Sequence, residues 1–255
     1  MPNSNILPNA EPFYLPGGPI GCLLIHGFSC SPEETHHFGE DLNALGYTVH
    51  GPRLTGHGTH PDDLAEVKAE DWLEDVENGL TALKKDCQKI VLIGQSLGSC
   101  LALACGGDPS VSGVVAISTP YPPPPSPARW FFQTVPALLQ PITLKKGAEP
   151  HPSLGNRREA EYPAYPQFPT KILRQMLKVQ EIMVKRLPAL EVPVLMIESP
   201  NDYFIHKDET QLIFDSLSEE GKELIWLEDY DHNMLYRSDR QEILQLISDF
   251  LAKVS

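Results

Sequence analysis

Short apolar runs alternate along this chain with stretches of helical periodicity. The apolar runs, which are typical of buried strands, are 21–28, 47–54, 89–94, 111–118, 192–197 and 223–227. Two helical faces are marked by apolar residues three or four positions apart, namely Trp72, Val76, Leu80 and Leu83, and then Ile172, Met176, Val179 and Met183. Alternation of strands with helices predicts βαβ units and a mainly parallel sheet.

Local signals predict where several helices begin and end. Ser31 has the character of an N-cap, with a proline next and Glu34 three residues on, which predicts a helix start. Gly46 is the predicted end of that helix. Ser238 and Gln241 form a possible capping box for the final helix. Small residues from 98 to 107 predict a helix that packs closely on the sheet.

The alternating pattern is interrupted between residues 121 and 170, where 12 of 50 residues are proline. We therefore divide the chain into a first core part at 1–120, a cap insertion at 121–170 and a second core part at 171–255. Insertions between parallel strands leave or rejoin the sheet near its carboxyl edge, where ligands bind in open α/β sheets. The insertion is accordingly interpreted as a lid, the alternative being a proline-stiffened surface loop.

The motif that carries the most chemical information is Gly94-Gln95-Ser96-Leu97-Gly98. It has the form G-x-S-x-G and lies between a predicted buried strand and a predicted helix of small residues. A serine at the centre of such a strand–turn–helix is exposed above the sheet, where it can act as a nucleophile. We predict Ser96 as the catalytic nucleophile rather than as part of a simple Gly-Ser turn.

A serine hydroxyl needs a base, and the base needs an acid that orients it. In this arrangement the acid follows the nucleophile in the chain and comes before the histidine. Asp202 lies just after the predicted strand at 192–197 and is the expected acid. The rival acids are Glu198, Asp208 and Asp231.

His232 follows the predicted strand that ends at Leu227 and is the expected base. It would take the proton of Ser96 and return it to the leaving group. The rival bases, each more consistent with a structural or exposed position, are His26, His57, His60 and His206.

The third requirement is an oxyanion hole made of backbone N–H groups. One donor is expected at the residue after the nucleophile, which is Leu97, and the other in the loop after the first core strand. That loop contains His26-Gly27-Phe28, so the N–H of Phe28 is the second expected donor.

Six stretches of this chain resemble the α/β-hydrolase superfamily, and most closely its small bacterial carboxylesterase and monoacylglycerol lipase branch. They are LLIHGFS, the GHG turn at Gly56 to Gly58, DWLEDVENGL, IVLIGQSLGS, VPVLMIESPND and WLEDYDH. The resemblance implies an α/β-hydrolase fold with a mainly parallel central sheet flanked by helices. It also implies a triad of Ser96, Asp202 and His232 with donors at Phe28 and Leu97. Because the N-terminus is short for the superfamily, we expect one or both of the usual antiparallel edge strands to be missing.

Composition and net charge limit the classes of molecule that this protein is expected to bind. The chain has 255 residues, 41% of them hydrophobic and 21% charged, with a formal net charge of −14. Such a charge repels phosphate backbones and anionic lipid surfaces, so nucleic-acid binding is not expected. No signal peptide or membrane-length apolar run is visible, and five cysteines form no metal-binding spacing. We expect a cytoplasmic protein with no metal or organic cofactor and no stable membrane insertion, and the oligomeric state stays open.

The predicted function is hydrolysis of small neutral carboxylic esters through an acyl-enzyme on Ser96. Apolar residues of the insertion could line an acyl pocket, or could only attach the lid to the core: Trp130, Phe131, Phe132, Leu138 and Leu139. Thioesterase or acyltransferase activity with the same triad is an alternative. A non-enzymatic ligand receptor on the same fold is a further alternative, since fold alone does not decide function.

Overall fold

The computed structural model describes residues 5–122, 143–145, 163–202, 204–218 and 220–254. Within them it contains a seven-stranded sheet and a separate two-stranded sheet. The strands are β1 (Phe13–Leu15), β2 (Ile20–Ile25), β3 (Thr48–Gly51), β4 (Lys89–Gln95), β5 (Val111–Ile117), β6 (Thr143–Lys145), β7 (Gln167–Pro169), β8 (Val194–Glu198) and β9 (Lys222–Trp226).

The large sheet has the strand order β1-β3-β2-β4-β5-β8-β9, and all neighbours in it are parallel except β1 and β3. This order confirms the predicted α/β-hydrolase fold. One antiparallel edge strand, β1, is present, and Phe13 of this strand pairs with Gly51 of β3. Of the two possibilities expected for the N-terminus, the loss of both antiparallel edge strands is therefore excluded, and the described residues contain one of them.

Six α-helices connect and flank these strands in the described ranges. They are α1 (Glu33–Ala44), α2 (Ala69–Leu83), α3 (Leu97–Cys105), α4 (Ile172–Arg186), α5 (Lys207–Ser216) and α6 (Gln241–Val254). Buried side chains of α2, α3 and α4 join one apolar cluster on one face of the sheet. Those of α1 and α6 join a second cluster on the other face. Covering both faces removes water from both sides of the strands, which explains their continuous apolar runs.

Two predicted helix starts differ from the structure. Glu34 does not cap α1, because its carboxylate points into the protein and the residue is 2% exposed. Helix α6 begins at Gln241, three residues beyond the expected cap at Ser238. The predicted end of α1 is confirmed, since the helix ends at Ala44 and Gly46 follows with φ of +98°.

The helix that the apolar periodicity predicted from Trp72 to Leu83 is present as α2, and its apolar face is buried. The indole of Trp72 is completely buried, and its Nε1–H donates to the carbonyl of Thr55 at 2.9 Å. Such a partner is what a buried indole needs, since an unpaired polar group in the core costs free energy. The contact fixes the loop after β3 against α2.

Part of the predicted insertion is described. Strands β6 and β7 pair antiparallel there, with Leu144 opposite Phe168. The apolar residues proposed to line an acyl pocket lie outside the described residues: Trp130, Phe131, Phe132, Leu138 and Leu139. No helix in the described part of the chain is long and apolar enough to cross a membrane.

Two glycines allow β4 and α3 to pack closely at the turn that joins them. A Cβ atom on Gly94 would lie 2.1 Å from the carbonyl oxygen of Gly98. A Cβ atom on Gly98 would lie 2.1 Å from the carbonyl oxygen of Ile25, at the end of β2. The obstacles are backbone atoms, which cannot rotate away as a side chain can. Glycine at these two positions is therefore a requirement of the packing.

We predict that Gly98→Ala destabilises the fold, because the added methyl group forces α3 away from β2. Overpacking of this kind costs about 1–3 kcal/mol, and more where backbone must move. Urea unfolding monitored by circular dichroism measures the change. Gly107→Ala is the matched control, since the added methyl group there would meet no atom within 4 Å beyond the residue and its two chain neighbours. Equal stabilities for the two variants would contradict the close-packing argument.

Candidate active site

Ser96 occupies a sharp turn between β4 and α3. Its backbone has φ of 55° and ψ of −116°, a region that non-glycine residues rarely adopt. Strain of this kind costs on the order of 1–3 kcal/mol and persists only where surrounding contacts impose it. One such contact is the bond from the Ser96 N–H to the carbonyl of Ile117, at 2.9 Å. The turn therefore holds the Ser96 hydroxyl at the carboxyl edge of the sheet.

The structure brings Ser96, Asp202 and His232 together. The distance from His232 Nε2 to Ser96 Oγ is 3.0 Å, and that from His232 Nδ1 to Asp202 Oδ2 is 2.7 Å. Both lie within hydrogen-bond range. The two ring nitrogens thus face different partners, with the hydroxyl at Nε2 and the carboxylate at Nδ1. With the proton on Nδ1, Nε2 is free to accept the hydroxyl hydrogen of Ser96.

The Asp202 carboxylate is fixed from its other side as well. Its Oδ1 accepts the backbone N–H of Phe204 at 2.8 Å and that of Ile205 at 3.2 Å. The side chain is 0% exposed. A buried carboxylate with three donors around it has little freedom to rotate, so it presents Oδ2 to His232 in one orientation.

Two serine hydroxyls donate hydrogen bonds to backbone carbonyls of the loop after β9, which carries His232. Ser118 Oγ donates to the carbonyl of His232 at 3.0 Å, and Ser199 Oγ donates to the carbonyl of Tyr230 at 2.6 Å. Ser118 follows β5 and Ser199 follows β8, so each strand end supports the loop after β9. Ser118 lies outside the six family-like stretches, and Ser199 lies inside one of them, VPVLMIESPND, but no pattern there predicts its role. Sequence reasoning therefore missed both contacts.

The loop after β2 lies against the nucleophile. It turns back on itself through a bond from the N–H of Cys30 to the carbonyl of Gly27, with Ser29 at φ of 63°. A Cβ atom on Gly27 would lie 3.5 Å from Ser96 Cβ. Leu97, the first residue of α3, has an N–H that lacks an intrahelical acceptor, as the first N–H groups of any helix do. The two expected donors, Phe28 and Leu97, therefore lie in segments that flank Ser96.

The three rival acids have different surroundings. Glu198 is fully buried, its Oε1 accepts the N–H of Thr119 at 2.9 Å, and burial raises its pKa well above the ordinary value. Burial also raises the pKa of Asp231. Asp208 is an exposed residue in the first turn of α5. Among the described residues, the carboxylate hydrogen-bonded to His232 is that of Asp202.

The rival bases are occupied elsewhere or exposed. His26 bonds the carbonyl of Gly27 through Nδ1 and accepts the N–H of Leu54 at Nε2, and burial lowers its pKa. His57 is fully buried, with its pKa well below the ordinary value for the same reason. His60 and His206 lie at the starts of a short 3-10 helix and of α5, respectively, and both are exposed.

A buried carboxylate that sequence reasoning assigned to helix capping lies under the site. Glu34 Oε2 accepts the N–H of Gly27 at 2.6 Å, and its Oε1 accepts Nε2 of Gln95 at 3.1 Å. Gln95 Oε1 in turn accepts the N–H of Leu235 at 2.9 Å. The helix-start pattern at Ser31 predicted a capping role for Glu34, because a glutamate near a helix start is usually exposed. Its role as a buried acceptor was therefore not predicted.

The last part of the predicted insertion runs across the loop that contains Phe28. The N–H of Tyr165 donates to the carbonyl of Ser29 at 2.7 Å, and the phenol donates to the carbonyl of Gly56 at 3.1 Å. The ring of Phe168 packs edge-on against that of Phe28, with centroids 4.9 Å apart. No sequence motif marked Tyr165 or Phe168, since their partners lie more than a hundred residues away in the chain.

A shared metal ion would need several ligand atoms close together. In the described part of the chain, the side chains that meet this condition are His36, His37 and Glu40. They lie on the outer surface of α1, and none of them belongs to the site around Ser96.

Comparison with known proteins places the chain in a family. The family described as serine aminopeptidase, S33 matches residues 21–239. The thermostable monoacylglycerol lipase of Bacillus sp. (strain H-257) is 31% identical over 253 residues, covering 97% of this chain and 96% of the lipase. The carboxylesterase of Bacillus subtilis (strain 168) is 25% identical over 245 residues, covering 96% of this chain and 97% of the esterase.

Solved structures agree with these relatives. One chain from the work on the metagenome-derived lipolytic enzymes LipS and LipT superimposes with a TM-score of 0.87 at 29% identity, covering 98% of this chain and all of that one. The monoacylglycerol lipase of Paleococcus ferrophilus has a TM-score of 0.79 at 18% identity, covering 96% of this chain and 99% of that one, and shows the fold alone. The predicted resemblance is confirmed: the chain belongs to the serine aminopeptidase S33 family of α/β-hydrolases, in the branch of the bacterial carboxylesterases and monoacylglycerol lipases.

Proposed function

We propose that this serine ester hydrolase cleaves carboxylic esters through a covalent acyl-enzyme on Ser96. The observation that supports this most strongly is the continuous line of contacts from Asp202 through His232 to Ser96 Oγ. A nucleophile within hydrogen-bond reach of a base, itself oriented by an acid, is the arrangement that activates a serine hydroxyl.

In the first half of the reaction, Ser96 Oγ attacks the ester carbonyl carbon while His232 Nε2 takes the hydroxyl proton. The carbonyl oxygen becomes negatively charged and accepts hydrogen bonds from the N–H groups of Phe28 and Leu97. The intermediate then collapses, the bond to the alcohol breaks, and His232 gives its proton to the departing alkoxide. Ser96 now carries the acyl group as an ester.

In the second half, water replaces the alcohol. His232 Nε2 takes a proton from a water molecule, whose oxygen attacks the acyl carbon, and the same two N–H groups accommodate the charge on the oxygen. Collapse breaks the bond to Ser96 Oγ, which recovers its proton from His232. The products are a carboxylic acid and the original hydroxyl group. Every step uses side chains, backbone N–H groups and water.

Asp202 keeps the imidazole in one tautomer and stabilises the imidazolium that forms in each half-reaction. Its burial matters, since charges interact more strongly where water is excluded. Glu198 cannot easily replace it, because burial favours the neutral form of that carboxyl.

The substrate class that we propose is a small neutral ester with an acyl chain, such as a monoacylglycerol. The similarity to the Bacillus lipase and esterase supports an ester over the peptide substrates that the family's description names. The net charge of −14 also disfavours a polyanionic substrate. Lining of the acyl pocket by Trp130, Phe131 and Leu138 stays a prediction, as do the division at residues 121 and 170 and a cytoplasmic location.

Ser96→Ala is expected to abolish turnover and to leave the fold intact, because the nucleophile is lost without any change in packing. The measurement is turnover of p-nitrophenyl esters and monoacylglycerols of increasing chain length. Ser248→Ala is the control, since that hydroxyl donates to the carbonyl of Leu244 in its own helix, α6. Wild-type rates in Ser96→Ala would rule out the mechanism.

Two further variants distinguish the candidate acids. Asp202→Asn should lower kcat by about 10⁴-fold, because an amide favours the wrong tautomer of the imidazole. Glu198→Gln should change kcat by less than about threefold, because an amide oxygen can accept the Thr119 N–H as the carboxyl oxygen does. Steady-state kinetics on one ester measures both. A small loss of kcat in Asp202→Asn together with a large loss in Glu198→Gln would indicate that Glu198, and not Asp202, is the catalytic acid.

A further inference from the structure

We propose that Glu34 and Gln95 form a positioning pair that fixes two loops, those after β2 and after β9, relative to the turn that carries Ser96. The inference rests on the proposed function, because the loops matter through the Ser96 mechanism. The hydrogen bonds that carry the proposal join the two side chains to each other and to backbone N–H groups, so their effect on the reacting groups is transmitted through the backbone.

The pair connects one backbone group from each of two loops. Gly27 N–H donates to Glu34 Oε2 at 2.6 Å, and Leu235 N–H donates to Gln95 Oε1 at 2.9 Å. The two side chains are joined by the bond from Gln95 Nε2 to Glu34 Oε1, at 3.1 Å. The three bonds form a continuous path from the loop after β2 to the short 3-10 helix at residues 234–236.

Three residues of this path lie close in sequence to residues with a proposed chemical role. Gly27 immediately precedes the oxyanion donor Phe28, and Gln95 immediately precedes Ser96. Leu235 lies three residues after His232. One pair of side chains therefore sets the relative positions of the oxyanion loop, the nucleophile and the base.

The chemistry of the pair is strongly constrained. Both backbone partners are N–H groups, which can only donate, so the pair must offer an acceptor at each end. Between them, one side chain must donate and the other must accept. A single carboxylate with a single amide meets these conditions. Two amides leave donor facing donor at one contact, and two ionised carboxylates leave acceptor facing acceptor, which is relieved only when one of them takes up a proton.

Burial makes a mismatch costly. Glu34 is 2% exposed and Gln95 is 0% exposed. A buried polar group that loses its partner keeps the full cost of leaving water. Space is also limited, because a Cβ atom on Gly27 would lie 3.2 Å from Glu34 Oε2. The loops must move to relieve a mismatch, and such movement displaces Phe28, Ser96 or His232.

The test compares wild type with Glu34→Gln, Gln95→Glu and the double exchange of both residues. Each single variant should lower kcat by about 10- to 100-fold with KM changed less than about threefold, because misplaced reacting groups lose transition-state stabilisation. The double exchange should restore kcat to within about fivefold of wild type. In it, the amide at position 34 accepts the Gly27 N–H and donates to the new carboxylate, whose other oxygen accepts the Leu235 N–H.

Glu33→Gln is the matched control, because it removes the same charge from the neighbouring position and should leave kcat unchanged. Active enzyme is counted by titration with a fluorophosphonate, so that a loss of folded protein is not read as a loss of rate. Recovery in the double variant is a result that a merely structural glutamate does not give. If a single variant does not fold, the double variant provides the test. A folded double variant with kcat within about fivefold of wild type supports the proposal, and one that is unfolded or impaired contradicts it.

Unchanged kcat in both single variants would overturn the proposal, as would impaired single variants without recovery in the double. If wild type cleaves no ester, the proposed function fails separately. The pair is then tested by the rate at which a fluorophosphonate labels Ser96 in the same four proteins. That reaction needs the nucleophile and the oxyanion donors but no ester turnover, and the same pattern of loss and recovery is expected.

Discussion

The strained turn at Ser96 is the constraint on which the rest of this structure depends. It forms because β4 must lead directly into α3, which packs so closely on β2 that a Cβ atom on Gly98 would clash with the carbonyl oxygen of Ile25. The left-handed backbone of Ser96 lifts its hydroxyl to the carboxyl edge of the sheet. Parallel pairing then brings the ends of β2, β8 and β9 to that edge. The loops that follow these strands contribute the other groups of the site.

Buried polar contacts turn this arrangement into a defined geometry. Asp202 is held by two backbone N–H groups while it contacts His232, and Ser118 supports the histidine loop from below. Glu34 and Gln95 connect the loop after β2 to the short 3-10 helix at residues 234–236. Such bonds stabilise the folded state only when every donor finds an acceptor, so they specify one arrangement of the loops. Burial of the Asp202 carboxylate also strengthens its electrostatic effect on the imidazole of His232.

The sequence predicted the sheet, its flanking helices and the convergence of Ser96, Asp202 and His232, because these follow from apolar runs and from the positions of residues at strand ends. It did not reveal the role of Ser118, because the residues next to it in the sequence form no recognisable motif. It misplaced Glu34, because the local preference for glutamate near a helix start agrees with capping and not with burial. Tyr165 and Phe168 were missed because they act through contacts with residues 28, 29 and 56, which are distant in sequence. Tertiary contacts decided these cases, and no local pattern encodes them.

The central claim is that Ser96 becomes covalently acylated during turnover. It is tested most directly by incubating the protein with a fluorophosphonate ester and locating the adduct by peptide mass spectrometry. We predict a single stoichiometric adduct on the peptide that contains Ser96, with loss of esterase activity in proportion to labelling. Stoichiometric labelling at another residue, or full activity after Ser96 is labelled, would contradict the mechanism.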